Sequence, residues 1–153
     1  MIPISFDILS LLKNKTIATA ESCTGGGIGA ALTSVPGISR IYKGGVVTYT
    51  DEVKSALLNV DKELIGERGA VSAPVAQAMA RNVKALLNAD VGISTTGLAG
   101  PDGDDRGNPV GTVYIGYADA QKCICKEFHF SGGRESVRDQ AVLEALKLIF
   151  ENQ

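Results

Sequence analysis

The order of apolar and polar positions predicts helices and strands in alternation along most of the chain. Residues 5–14 carry Phe6, Leu9 and Leu12 near a helical period, with Ser5 placed to cap the first turn. Residues 15–21 form a short apolar run, read as a first strand. Over residues 24–34, Ile28, Ala31 and Leu32 share one side among small residues, which predicts a helix that Pro36-Gly37 stops. Tyr42 to Tyr49 is rich in β-branched and aromatic residues and reads as a second strand, with glycines where it can bend. Thr50-Asp51-Glu52 opens a helix carrying Val53, Ala56 and Leu57, and Asp61 to Glu67 is grouped with it as one further helical piece. Ser72-Ala73-Pro74 is a cap with proline in the first turn, and the helix it opens runs through Met79 and Val83 to Asn88. Residues 90–96 predict a third strand, followed by Gly97-Leu98-Ala99-Gly100-Pro101-Asp102-Gly103 and a polar surface loop to Pro109. Val110 to Ala118 and Lys122 to Phe130 predict two strands joined by a hairpin turn. After Ser131-Gly132-Gly133-Arg134, a stripe of Val137, Ala141, Ala145 and Leu148 predicts a last helix to about Ile149.

Early alternation and a late hairpin predict an α/β fold, a mixed five-stranded sheet covered by helices on both faces. In open α/β sheets ligands bind beyond the carboxyl ends of the strands. Ser22, Tyr49 and Thr96 all fall at such ends, and this convergence is the best positional pointer to a site.

The chain has 153 residues, which fits one domain over residues 1–153. At 44% hydrophobic, 21% charged and net charge −2, the composition is that of an ordinary soluble protein, with no electrostatic footprint for nucleic acid or membrane. The three cysteines are an odd number, and the apolar N-terminal stretch makes a poor secretory segment, interrupted by Asp7 and with Lys13 and Lys15 at its wrong end. No apolar run approaches a membrane span. These features lead us to expect a cytoplasmic protein with reduced thiols.

Candidate chemistry centres on Ala18 to Gly29, where an apolar run enters Glu21-Ser22-Cys23-Thr24 and then three glycines. Such a strand-to-helix turn presents a side chain at Ser22. It offers close backbone approach and unpaired N–H groups for an anion or oxyanion. A serine nucleophile needs a base. The lone histidine, His129, alternates with Phe128 and Phe130 and reads as a solvent-side strand residue, which disfavours a Ser-His-Asp triad. Ser-Lys pairs are the variant that remains. Lys54, about one helical turn beyond the second strand, is the candidate on position, although a solvated helix residue is the plainer reading of its place alone. Tyr49 by itself reads as a packed strand-end aromatic. Cys23 is a rival nucleophile whose simpler reading is a small buried residue. Cys123 and Cys125 share one strand face but fall short of a zinc ligand set. Arg134 could grip a phosphate or carboxylate, and the loop from Gly97 could cradle a phosphate, though both are also ordinary surface chemistry.

Taken together, AESCTGG, VTYTDEVK, GAVS, STTGLAGPDG, PVGTVYIG and FSGGR resemble the C-terminal domain of the CinA family, the nicotinamide-nucleotide amidases. The resemblance runs from about Thr16 to Ile149. It implies a three-layer α/β/α sandwich with a mixed five-stranded sheet. It also implies hydrolysis of the carboxamide of nicotinamide mononucleotide to nicotinate mononucleotide and ammonia, by a Ser-Lys mechanism with no metal and no cofactor. On this chain Ser22 matches the family's nucleophile, Lys54 its general base and Tyr49 its assisting hydroxyl. Thr96 and Arg134 match further active-site positions. In the mechanism so implied, N–H groups around Thr24, Gly25 and Gly26 hold the oxyanion, and Gly97 lies with Thr96 on the substrate side. Members commonly self-associate, so a homo-oligomer is expected. Many carry a large additional N-terminal domain that this sequence lacks, which is the expectation for a stand-alone form. The alternatives are a catalytically silent nucleotide-binding module of the same fold, or a serine amidase for another small amide.

Overall fold

The computed structural model describes residues 8–153. The predicted first helix therefore appears as α1 (Ile8–Leu12), with Ile8 and Leu12 buried, while Ser5 and Phe6 lie outside the described residues. The remaining order is β1 (Ile17–Glu21), α2 (Gly27–Thr33), a 3₁₀ turn (Ile38–Arg40), β2 (Tyr42–Val47), α3 (Asp51–Leu58), α4 (Lys62–Arg68), α5 (Ala73–Leu86), β3 (Val91–Gly97), β4 (Thr112–Ala118), β5 (Cys123–His129) and α6 (Arg134–Glu151).

The five strands form one mixed sheet in the order β2-β1-β3-β4-β5. β1 pairs parallel with β2 and β3, whereas β3–β4 and β4–β5 are antiparallel. The parallel pairs follow from helical crossovers, and the antiparallel β4–β5 pair from the short Asp119–Lys122 turn. Alternation along β1 explains the layers. Ile17 faces a core built with α1, α2 and α6, while Ala18 and Ala20 face one built with α3, α4 and α5.

Three details depart from the sequence reading. α3 and α4 are separate helices: Asn59 takes a left-handed conformation (φ 56°) that ends α3, and the Asp61 carboxylate caps α4 through the Glu63 N–H. Ser72 precedes α5 as expected, but its hydroxyl donates to the Gly69 carbonyl rather than capping the helix. The turn after Pro36-Gly37 re-forms as the short 3₁₀ segment at Ile38. Among the described residues, no helix is long and apolar enough to cross a membrane.

The sheet positions the site through its carboxyl-end edge. β1 delivers Glu21 and Ser22, β2 runs into Thr48 and Tyr49, and β3 carries Thr95, Thr96 and Gly97. Because β1 is parallel to both neighbours, all three strands empty into the same rim.

Candidate active site

Ser22 lies immediately beyond β1 and is only 6% exposed. Its N–H donates to the Thr95 carbonyl of β3 at 3.1 Å, and its carbonyl accepts from the Gly25 N–H at 3.0 Å. The side chain projects toward α3. There Lys54 Nζ sits 3.0 Å from Ser22 Oγ, 2.9 Å from the Thr48 carbonyl oxygen and 3.4 Å from that of Tyr49. α3 brings Lys54 there because Thr50 caps it, the Thr50 hydroxyl accepting from the Val53 N–H. The solvated-helix reading of Lys54 is set aside by its burial, at 2% exposure.

Burial pushes the Lys54 ammonium below its ordinary value of 10.5, with nearby Asp51 pulling the other way. Once neutral, the amine can donate to the two main-chain carbonyls and accept the Ser22 proton. Ser22 Oγ also lies 3.4 Å from the Tyr49 carbonyl, the acceptor left to the hydroxyl when Lys54 is charged.

Tyr49 occupies the site differently from the role the resemblance gave it. Its carbonyl faces Lys54 and Ser22, while its phenol accepts from Arg134 Nη2 at 2.9 Å and the residue is 56% exposed. Arg134 also donates through Nη1 to the Gly100 carbonyl at 2.6 Å. It ties the loop after β3 to the end of β2 and borders a neighbouring cavity instead of the one at Ser22.

The cavity at Ser22 measures about 420 Å³. Tyr49, Asp51, Lys54, Thr96 and Gly97 line it, as do Leu98 and Ala99 of the glycine-rich loop. The Thr96 hydroxyl donates to the Ala70 carbonyl at 2.8 Å, which ties the strand end to the segment before α5. Arg106 borders it too, donating to the carbonyls of Gly66 and Glu67 at the end of α4. Sequence reasoning left Arg106 in a surface loop. Its grip on α4, about 40 residues distant in sequence, had no local signal.

The turn after Ser22 corrects one expectation. The N–H groups at the start of α2 are not all open to an anion. The Glu21 carboxylate, 2% exposed, accepts from the Ile28 N–H at 2.8 Å, the Gly29 N–H at 3.0 Å and the Thr24 hydroxyl at 2.6 Å. The Thr24 hydroxyl also meets that of Thr95 at 2.8 Å. Glu21 thus fills the helix N-terminus with the protein's own anion. Gly25 has its N–H committed to the Ser22 carbonyl, so of the donors expected over Thr24 to Gly26 this one is taken. Gly25 and Gly26 have positive φ (58° and 99°), which is what their lack of a side chain supplies. Among the described residues, the N–H groups of Cys23, Thr24 and Gly26 have no main-chain acceptor, and that of Cys23 lies against its own thiol.

The rival nucleophiles fare poorly. Burial raises the Cys23 thiol to about 11, which suits a small core residue and not a thiolate. His129 stands exposed on edge strand β5, its ring between the Glu127 carboxylate (2.6 Å) and the Thr112 hydroxyl (3.2 Å), outside the Ser22 cavity. Cys123 packs toward α5 against Arg81 and the Gln77 carbonyl.

Residues 5–152 match the family described as the CinA C-terminal domain. A CinA-like protein of Thermosynechococcus vestitus is 49% identical over 140 residues, covering 90% of this chain and 34% of that protein. Another, from Geobacter sulfurreducens, is 46% identical over 134 residues, or 88% of this chain and 32% of that one. The chain thus spans about a third of the length of the curated relatives it matches. Among solved structures, a CinA superfamily protein from Escherichia coli superposes with a TM-score of 0.91 at 34% identity, over 94% of this chain and 83% of that one. A competence/damage inducible protein from Agrobacterium tumefaciens superposes with a TM-score of 0.89 at 33% identity, over the full length of both.

Proposed function

This chain belongs to the CinA C-terminal domain family, and from that membership and its buried Ser22–Lys54 pair we propose that it is an amidohydrolase cleaving the carboxamide of nicotinamide mononucleotide. The observation that carries the reading is the 3.0 Å approach of Lys54 Nζ to Ser22 Oγ, inside a cavity large enough for a small ligand.

Neutral Lys54 takes the Ser22 proton as Oγ attacks the carboxamide carbon. The oxygen of that carbon becomes an oxyanion, held by N–H groups of the turn at Cys23 and Thr24; one such donor is typically worth about 2.7–4 kcal/mol. Collapse breaks the C–N bond, and the Lys54 ammonium returns its proton to the leaving nitrogen, releasing ammonia. Water then attacks the Ser22 ester with Lys54 again as base, and nicotinate mononucleotide departs. The Thr48 and Tyr49 carbonyls aim the amine throughout and stabilise its charged form. Thr96 and Gly97 form the cavity wall beside the ring. Arg134, through the Tyr49 phenol, holds the rim, and the nucleotide phosphate falls to Arg134, Arg106 or backbone N–H groups.

Rapid quenching of the wild type with nicotinamide mononucleotide tests this reading. The expected result is a nicotinoyl-nucleotide ester on the Ser22 peptide by mass spectrometry, absent from Ser22→Ala. An adduct on Cys23, or turnover unchanged in Ser22→Ala, would overturn it.

A further inference from the structure

Arg138, on the first turns of α6, is used by none of the steps above. Its guanidinium reaches across to the turn after the nucleophile. Nε donates to the Cys23 carbonyl at 3.1 Å and Nη2 to the Thr24 carbonyl at 3.4 Å. The contact is close: a Cβ on Gly25 would come within 3.1 Å of Nη2. Arg138 borders the second cavity, on the α6 side with Glu135 and Asp139, and does not line the one at Ser22.

A trans peptide unit is planar, so its C=O and N–H point in opposite directions. Holding the Cys23 carbonyl toward α6 therefore turns the Thr24 N–H away from α6. The Ser22 carbonyl, bonded to the Gly25 N–H, likewise fixes the plane of the peptide unit that carries the Cys23 N–H. Together with that of Gly26, these are the N–H groups of the turn without a main-chain acceptor among the described residues. On the other flank, the Glu21 carboxylate holds the Thr24 hydroxyl and the start of α2. The turn is thus bracketed, its carbonyls by a guanidinium and its hydroxyl by a carboxylate. A permanent cation at a peptide oxygen also polarises that unit and strengthens its N–H as a donor.

We propose that Arg138 is a positioning residue for the reaction: by holding the Cys23 carbonyl it presents the Thr24 N–H of that turn to the oxygen of the carbonyl that Ser22 attacks. The inference rests on Ser22 being the nucleophile. It goes further in assigning the shape and strength of the oxyanion site to a side chain on the far face of the loop.

A fluorophosphonate probe reads this step without the natural substrate. The Ser22 Oγ–P bond forms, the P–F bond breaks, fluoride leaves and the Ser22 proton goes to Lys54, while the P=O oxygen occupies the oxyanion site. Labelling rates are compared for the wild type, Arg138→Gln, Arg138→Lys and Arg138→Ala, alongside thermal melting and nicotinamide mononucleotide binding. The expected result is a labelling rate about 10- to 100-fold lower in Arg138→Gln, with binding and cooperative melting retained. Arg138→Lys keeps the charge without the fork and should fall between, and added guanidinium ion should restore part of the rate of Arg138→Ala. Wild-type labelling in all three variants would overturn the proposal. So would losses that track melting and binding together, with no rescue. A wild type whose Ser22 takes no label would instead overturn the amidase reading, and this inference with it.

Discussion

A lysine amine at 2% exposure, within 3.0 Å of a serine hydroxyl and 2.9 Å of a carbonyl oxygen, is arranged to be neutral when it works. Burial lowers its pKa, so the folded chain releases this proton at lower pH than the unfolded one. Between the folded value and 10.5 the unfolded state binds more protons, and stability from this group rises with pH. Below the folded value both states are protonated, and the buried ammonium opposes folding. Turnover has the same sign: kcat/KM should climb with pH along a limb whose midpoint lies below 10.5. A pH–rate profile checks this, and a midpoint at the ordinary lysine value would contradict it. Cys23→Ala should retain turnover, because a thiol raised to about 11 supplies almost no thiolate at neutral pH. Ammonia release from that variant is the check. At this scale the sequence was informative about Ser22, whose turn chemistry is local, and about Lys54 only by position and resemblance. The direction of the Tyr49 phenol was illegible, since Arg134, 85 residues away, decides it.

Among the elements, α2 depends most on one residue from outside itself. It begins at Gly27 with no side-chain cap from Gly26, and the buried Glu21 carboxylate serves its N–H groups instead. Glu21→Gln replaces one acceptor oxygen with an amide that faces N–H donors, leaving buried groups unsatisfied. The expected loss is about 1–3 kcal/mol, measured as a lower denaturation midpoint at unchanged m-value. An unchanged midpoint would show that α2 does not need the carboxylate. The sequence motif made Glu21 visible as a neighbour of Ser22, but its role depends on where α2 folds back over β1. The break between α3 and α4 was hidden for a related reason. Apolar period alone joins them, whereas the left-handed Asn59 and the Asp61 cap separate them. The strands and α5 were legible because their patterns are long and bounded by turn residues.

Over the whole molecule, the reading of a mixed sheet with helices on both faces holds, and so does the gathering of Ser22, Tyr49 and Thr96 at one rim. The strand order β2-β1-β3-β4-β5 and the lining of the cavity by Leu98, Ala99 and Arg106 come from tertiary contacts that no local pattern encodes. The close seating of α5 on the sheet is such a contact. A Cβ on Gly116 of β4 would lie 2.4 Å from the Ala76 carbonyl oxygen and 2.6 Å from Ser94 Oγ. Ser94 itself donates to that carbonyl at 2.6 Å. Gly116→Ala should therefore lift α5 and cost about 1–3 kcal/mol, seen as a lower melting temperature. Because α5 also abuts α3, which carries Lys54, that variant should lose turnover faster than it loses secondary structure on heating.

The central claim is that Ser22 and Lys54 act together on a nucleotide carboxamide. Ammonia release from nicotinamide mononucleotide, measured side by side on the wild type and Lys54→Ala, tests it most directly. The expected result is ammonia and nicotinate mononucleotide in equal amounts from the wild type, with release collapsing in a folded Lys54→Ala that still binds the nucleotide. Release undiminished in Lys54→Ala would contradict the pairing, and a folded wild type that binds the nucleotide without releasing ammonia would contradict the amidase reading.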